Sequence, residues 1–240
     1  MKDNNVEQRV CEAKEKSKES VTRTGTFWSF GLVGGLGAFA LLLIIVIFIY
    51  FKNYRKKMKT LTEKDYENAA KELGCEVAAI KAVAEVESLN GGFQPDGKPK
   101  ILFERHQFHK FTQGKYSAAN PDISNSRPGG YTSNEHLRLE KAAKLNRTEA
   151  LKSTSSGKFQ IMGFNFAIVG FSTLQDFINA MYRSETDQLK AFVQFIKSNK
   201  LDDELRDKRW VDFARIYNGK NYHINKYDVK MANAYKKYIK

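Results

Sequence analysis

The chain predicts a mainly α, α+β protein, and two observations carry that expectation. Beyond about residue 60, one segment after another repeats apolar residues at helical spacing, and a single Gly-, Ser-, Asn- and Pro-rich insertion, residues 112–131, interrupts them. With 240 residues and 42% hydrophobic content there is enough material for one packed domain and an appendage. Two cysteines, Cys11 and Cys75, are too few for a disulfide framework, and they flank the long apolar segment at residues 27–51.

The formal charge of +13 comes from 40 basic and 27 acidic residues and is spread along the chain, with +6 on residues 1–59. Such a balance attracts polyanions: nucleic acid, an anionic membrane or an anionic cell wall. No helix-turn-helix spacing, zinc-finger spacing or RNA-binding aromatic motif is present, so no nucleic-acid partner is expected.

Residues 1–26 form a polar tail of mixed charge. From Phe27 to Phe51 there is no charged residue, and about 20 apolar residues span a bilayer, so residues 27–51 predict one transmembrane helix with the lipid bilayer as partner. Gly31 and Gly35 make a GxxxG face suited to a homodimer, or are simply tolerated in a membrane helix. Residues 52–60 are a basic linker; Lys52, Arg55, Lys56, Lys57 and Lys59 would hold the C-terminal domain on the cytoplasmic side.

The folded domain is expected over residues 61–240. Thr62 with Asp65 reads as an N-cap and first-turn acid, opening a helix that ends at Gly74. A second helix runs through Ile80 and stops at Ser88 to Gly92, where Asn90-Gly91-Gly92 breaks it. The turn Pro95-Asp96-Gly97 and the apolar Ile101-Leu102-Phe103 lead into a segment from Glu104 to Phe111. The insertion at residues 112–131 predicts long loops with a small hairpin, forming a cleft wall. Further helices are expected at Asn134 to Leu145, Arg147 to Ser153, Leu174 to Tyr182, Glu185 to Asn199, Lys208 to Tyr217 and Val229 to Ile239.

The second helix carries two unlike glutamates. At about 100° per residue, Ile80, Val83, Ala84 and Glu87 share one side, while Lys81 and Glu85 share the other as an ordinary i,i+4 pair. Glu87 sits among apolar residues near the helix C-terminus, where desolvation and the dipole both raise a carboxyl pKa. A glutamate held protonated near neutrality serves as a general acid. Gln160, in Ser155-Ser156-Gly157-Lys158-Phe159-Gln160, offers an amide to a sugar, and Tyr217-Asn218-Gly219 offers a phenol and an amide at a helix end. On spacing alone, the first also reads as a surface amide and the second as a C-cap. His106 and His109 with Glu104 have metal-ligand spacing but lack a third ligand, so no metal is expected. Glu104 reads as a partner of Arg105 or of a backbone amide, and Cys75 as a small core residue.

Taken in order, Ala84-Glu85-Val86-Glu87-Ser88, Gly92-Phe93, Asp96 to His106, Gly129-Gly130-Tyr131, Ser156-Gly157 with Gln160-Ile161-Met162-Gly163, and Tyr217-Asn218-Gly219 resemble the N-acetylmuramidase domain of phage endolysins. The resemblance covers about residues 62–240. The Glu-Ser pair followed by Ser-Gly-x-x-Gln-Ile-Met is also similar to goose-type lysozymes and soluble lytic transglycosylases, which implies a lysozyme-like fold. It further implies Glu87 as catalytic acid, Asp96 as second carboxylate, and Ser88, Lys98, Glu104, Gln160, Tyr217 and Asn218 as substrate-binding residues. Lys98 stands where some members carry a small hydroxyl residue. Peptidoglycan is the implied substrate, with no cofactor and with cleavage of the β-1,4 bond between N-acetylmuramic acid and N-acetylglucosamine. A lytic transglycosylase and a non-catalytic wall-binding or structural membrane protein are the alternatives. With the apolar segment, this gives a single-pass membrane protein of the bacterial inner membrane or of a membrane-containing virion. The basic linker argues for a cytoplasmic domain while the wall lies outside, and the sequence leaves that conflict standing.

Overall fold

The computed structural model describes residues 41–50, 60–88 and 91–239. The chain forms two units, Met1–Arg55 and Lys56–Lys240.

Within the first unit, residues 41–50 form a helix. Among the described residues no helix is long and apolar enough to cross a membrane. This corrects the expected single-pass membrane protein and its bilayer partner: the apolar composition of residues 27–51 is not matched by a described helix of spanning length. Gly31, Gly35 and the expected homodimer face lie outside the described residues.

The second unit opens with helix α1 (Glu63–Leu73), whose start is fixed by a reciprocal capping box between Thr62 and Asp65 and whose end is a left-handed Gly74, φ 64°. Helix α2 (Val77–Ser88) comes next, rich in small residues, with Ala78, Ala79, Ile80, Ala82, Val83 and Ala84 buried. A helix buried nearly all round belongs at the centre of a core. Residues 92–100 then form a tight hairpin: Lys100 N donates to Gly92 O (2.8 Å), Gln94 N to Lys98 O (2.8 Å), and Phe93 bridges Pro99. The hairpin therefore lies at the Pro95-Asp96-Gly97 turn. The stretch at 112–131, where one was expected, is a series of turns held by His109, Ser117 and Ser124, with His109 Nδ1 2.7 Å from Ser117 Oγ.

The strands β1 (Ile101–Phe103), β2 (Thr154–Ser156) and β3 (Ile161–Met162) make one antiparallel sheet in that order, with Leu102 opposite Ser155 and Ser155 opposite Met162. Helix α3 (Arg105–Phe111) comes after β1. Helix α4 (Glu135–Lys152) joins the two segments expected as separate helices. Asn146, between them, is a kink (φ −158°, ψ 98°) whose side chain accepts from Glu149 N at 3.1 Å. Helices α5 (Leu174–Arg183), α6 (Glu185–Ser198), α7 (Asp202–Arg206), α8 (Trp210–Tyr217) and α9 (Tyr227–Tyr238) complete the unit. Helix α7 has no counterpart among the helices expected from the sequence, because five residues are too few to show a period.

Two cores organise this unit. The larger gathers Ile80, Val83, Phe159, Phe177, Met181, Phe192, Phe213 and Met231 around α2. The smaller consists of Phe103, Phe108, Ile123, Ala142 and Ala150 beneath the sheet. Beside it lies a buried ion pair: Glu135 Oε2 receives Arg138 Nη1 at 2.6 Å and Phe103 N at 3.1 Å, while Glu135 Oε1 receives Thr132 N at 2.7 Å.

The expected Lys81–Glu85 pair does not form. Lys81 instead reaches back to Glu63 at 2.7 Å, and Glu85 accepts from Lys237 and, at 2.8 Å, from the Tyr238 hydroxyl. Helix α9 packs along α2 and outcompetes the local i,i+4 partner.

Candidate active site

Glu87 lies in the last turn of α2 and is half-buried. Asn218, the C-cap of α8, donates from Nδ2 to Glu87 Oε1 at 2.7 Å. Burial pushes the Glu87 carboxyl up to about 7, and the Asn218 hydrogen bond holds it down against that push. Glu85, two residues away, moves the opposite way: its bonds to Lys237 and Tyr238 lower it below the ordinary carboxylate value. The sequence-level contrast between the two glutamates thus reappears, although with other partners for Glu85.

The end of α2 is clamped by buried charge. Lys100 Nζ donates to Ser88 O at 2.6 Å, and Gly92 N donates to Glu185 Oε1 at 2.5 Å. Glu185 Oε2 also receives Leu61 N at 3.1 Å and Lys158 Nζ at 3.3 Å. Gln188 accepts from Lys158 N at 2.7 Å and donates to Met181 O at 2.8 Å. The Gln188 amide lies so near that a Cβ on Gly92 would come within 2.0 Å of its Oε1 and a Cβ on Gly157 within 2.6 Å of its Cδ. Both positions need glycine for close approach. None of Lys100, Lys158, Glu185 or Gln188 stands out in the sequence. For Glu185 the one available signal is an acid in a first helical turn after Ser184, which ordinarily means only a favourable dipole.

The other expected site residues divide into two groups. Three turn inward. Ser88 Oγ donates to Ala84 O at 2.9 Å; the Gln160 amide accepts from Ser155 Oγ at 2.8 Å and donates to Gly157 O at 2.7 Å; and the Tyr217 hydroxyl donates to Phe159 O at 2.6 Å while its ring stacks on Phe213. The rest stay open. Asp96 is exposed at the hairpin tip, where Oδ1 accepts from Lys98 N at 3.0 Å, and Lys98 itself is exposed. Glu104 receives the Tyr131 hydroxyl at 3.0 Å and lies 3.1 Å from His106 Nδ1. It does not pair with Arg105, whose guanidinium donates to the carbonyls of Arg127 and Pro128.

Tyr227, at the start of α9, is the residue that sequence reasoning missed altogether. Burial raises its hydroxyl, and so do the charges of Glu87 and then Glu104. Among the described residues no group of three His, Cys, Asp or Glu is arranged to hold a metal ion. Burial pushes the Cys75 thiol up to about 11, the wrong direction for a nucleophile.

The N-acetylmuramidase family model matches residues 76–239. The crystal structure of Burkholderia AP3 phage endolysin is similar at 42% identity, covering 75% of this chain and 71% of that one, with a TM-score of 0.68. No curated protein matches the chain. The match spans α2 with Glu87, the sheet and the α8–α9 corner that supplies Asn218. The chain belongs to the N-acetylmuramidase family and is a peptidoglycan hydrolase, a glycoside hydrolase of muramidase type.

Proposed function

We propose that the enzyme cleaves the β-1,4 bond between N-acetylmuramic acid and N-acetylglucosamine with Glu87 as general acid. The observation that carries this is the half-buried Glu87 at the end of α2 with Asn218 Nδ2 donating to its Oε1 at 2.7 Å, where burial raises the carboxyl to about 7. Asn218 occupies Oε1 as a donor, so the proton to be delivered sits on Oε2. As glycosidic cleavage develops oxocarbenium-like charge, a second carboxylate stabilises it or orients water. Asp96 is one candidate for that role, at the exposed hairpin tip. Glu104 is the other, its carboxylate held by the Tyr131 hydroxyl at 3.0 Å. Lys98 and Asn218 meet substrate, while Ser88, Gln160 and Tyr217 hold the floor of the site through their internal bonds.

Clearing of purified peptidoglycan tests this. Glu87→Gln should lower the rate by about 10² to 10⁴ with the circular dichroism spectrum unchanged, since an amide has no proton to deliver. In the wild type, kcat/KM should halve near pH 7 and fall about tenfold per unit above it, as the free-enzyme acid loses its proton. A full rate in Glu87→Gln would sink the assignment. Asp96→Asn and Glu104→Gln, compared side by side, assign the second carboxylate. Anhydro-muramyl ends seen by mass spectrometry would instead identify the chemistry as transglycosylation.

A further inference from the structure

The segment between α8 and α9 starts at the candidate active site, where Asn218 donates to Glu87, and ends at Tyr227, the first residue of α9. The eight residues between turn on themselves through bonds such as Tyr222 N to Gly219 O (3.0 Å), Lys226 N to His223 O (3.1 Å) and Tyr227 N to Tyr222 O (3.2 Å). The segment is therefore compact and directly follows Asn218, the residue bonded to Glu87. Lys220, His223 and Lys226 are exposed.

Among the described residues, Lys220, Lys226 and Lys230 form no ion pair, whereas Lys197, Lys208 and Lys237 are each paired with a glutamate. Lys230 lies over the ring of Tyr227, 5.7 Å from its centroid, on the first turn of α9. The one acid in the segment, Asp228, lines a groove with Lys208 and Arg209 of the α7–α8 region and so does not neutralise this cluster. Three uncompensated ammonium groups and an imidazole thus lie next to a site whose sugar units are uncharged in the intact polymer, where the muramic lactyl carboxyl is amide-linked to the stem. In the polymer, the carboxylates lie on the peptide stems.

We propose that Gly219 to Lys230 is a cationic lip that binds the carboxylates of the peptide stems, so that the enzyme prefers glycan strands that still carry them. This rests on the muramidase reading and adds a specificity determinant to it. Exposed lysine–carboxylate contacts are individually weak and screened by salt, so the effect should come from several lysines together and fade as ionic strength rises.

The test uses the full chain and its triple variant Lys220→Gln, Lys226→Asn, Lys230→Gln on two substrates at low salt. One is intact purified peptidoglycan. The other is the same material stripped of stems by an amidase, which leaves only the lactyl carboxylate. The variant should lose about tenfold in kcat/KM on intact strands, mostly through KM, and less than about twofold on stripped strands. Equal loss on both substrates would overturn the proposal, since it would indicate attraction that is not directed at the stems. So would no loss on either. Wild-type protein inert on both would instead remove the muramidase reading, and the lip with it.

Discussion

The two cores of the domain are built on different physics. Around α2 the interior is a continuous apolar mass, with Phe159 and Phe192 stacked at 4.4 Å and Phe213 stacked on Tyr217 at 5.1 Å. Beneath the sheet only five apolar residues form the buried cluster, and the lobe depends on Glu135, Arg138 and His136, the last with its Nε2 3.0 Å from Pro99 O. An apolar core is tolerant in detail but large in sum; a polar one stands on a few bonds, each with a definite partner. The acid is carried by the first kind of region, and Glu104 with its Tyr131 partner by the second.

Mutations can break or sharpen this contrast. Phe192→Ala should destabilise the whole unit by about 3–5 kcal/mol, read as a lower urea midpoint with slope unchanged. Glu135→Ala should cost about 3 kcal/mol, because Arg138 and the amides of Phe103 and Thr132 lose their acceptor. Hydrogen exchange should then accelerate at Phe103 while the amides of α2 stay protected; equal acceleration in both would mean that the lobes open as one.

At the junction, Glu87→Gln should stabilise the fold at alkaline pH by up to about 3 kcal/mol. The sign comes from the raised carboxyl: the native state keeps its proton up to about pH 7, while the unfolded chain releases it near 4.5. Wild-type stability therefore falls as pH rises between those values, and the advantage of the amide should vanish below the lower one. The smallest effect belongs to Glu85→Gln, under about 1 kcal/mol, because its bonds to Lys237 and Tyr238 are solvent-facing. Its lowered carboxyl contributes stability above the unfolded value that is lost as pH falls through the folded one. Clearing activity should stay within about twofold, and a loss as large as that of Glu87→Gln would erase the distinction between the two faces of α2.

What is legible in the sequence divides along the same line. The capping box at Thr62, the stop at Ser88, the kink at Asn146 and the apolar side of α2 are local or periodic signals, and the chain obeys them. The Lys81–Glu85 pair fails because helical spacing proposes partners without knowing what packs alongside. Glu185 binds Leu61, Gly92 and Lys158 across 124, 93 and 27 residues, and Asn218 reaches Glu87 across 131; no pattern in either neighbourhood announces such meetings. Gln160 and Tyr217 stand out as motif residues but with outward roles, because a motif records identity and not direction. The membrane span rests on composition alone, and among the described residues no helix is long and apolar enough to cross a membrane.

The attachment of α9 to α2 bears on when the enzyme becomes active. Lys237 and Tyr238 join Glu85 across 152 and 153 residues, and Tyr235 joins Glu76 across 159. At roughly 5–20 residues per second, the ribosome delivers α9 about 8–30 seconds after α2. Until then the helix bearing the acid lacks the neighbour that covers its flank, and Tyr227 and the cationic segment are missing from the cleft. The proposed catalytic acid, Glu87, is thus among the first residues of the domain to be synthesised and among the last to be seated, so a partly translated chain carries it without its neighbours.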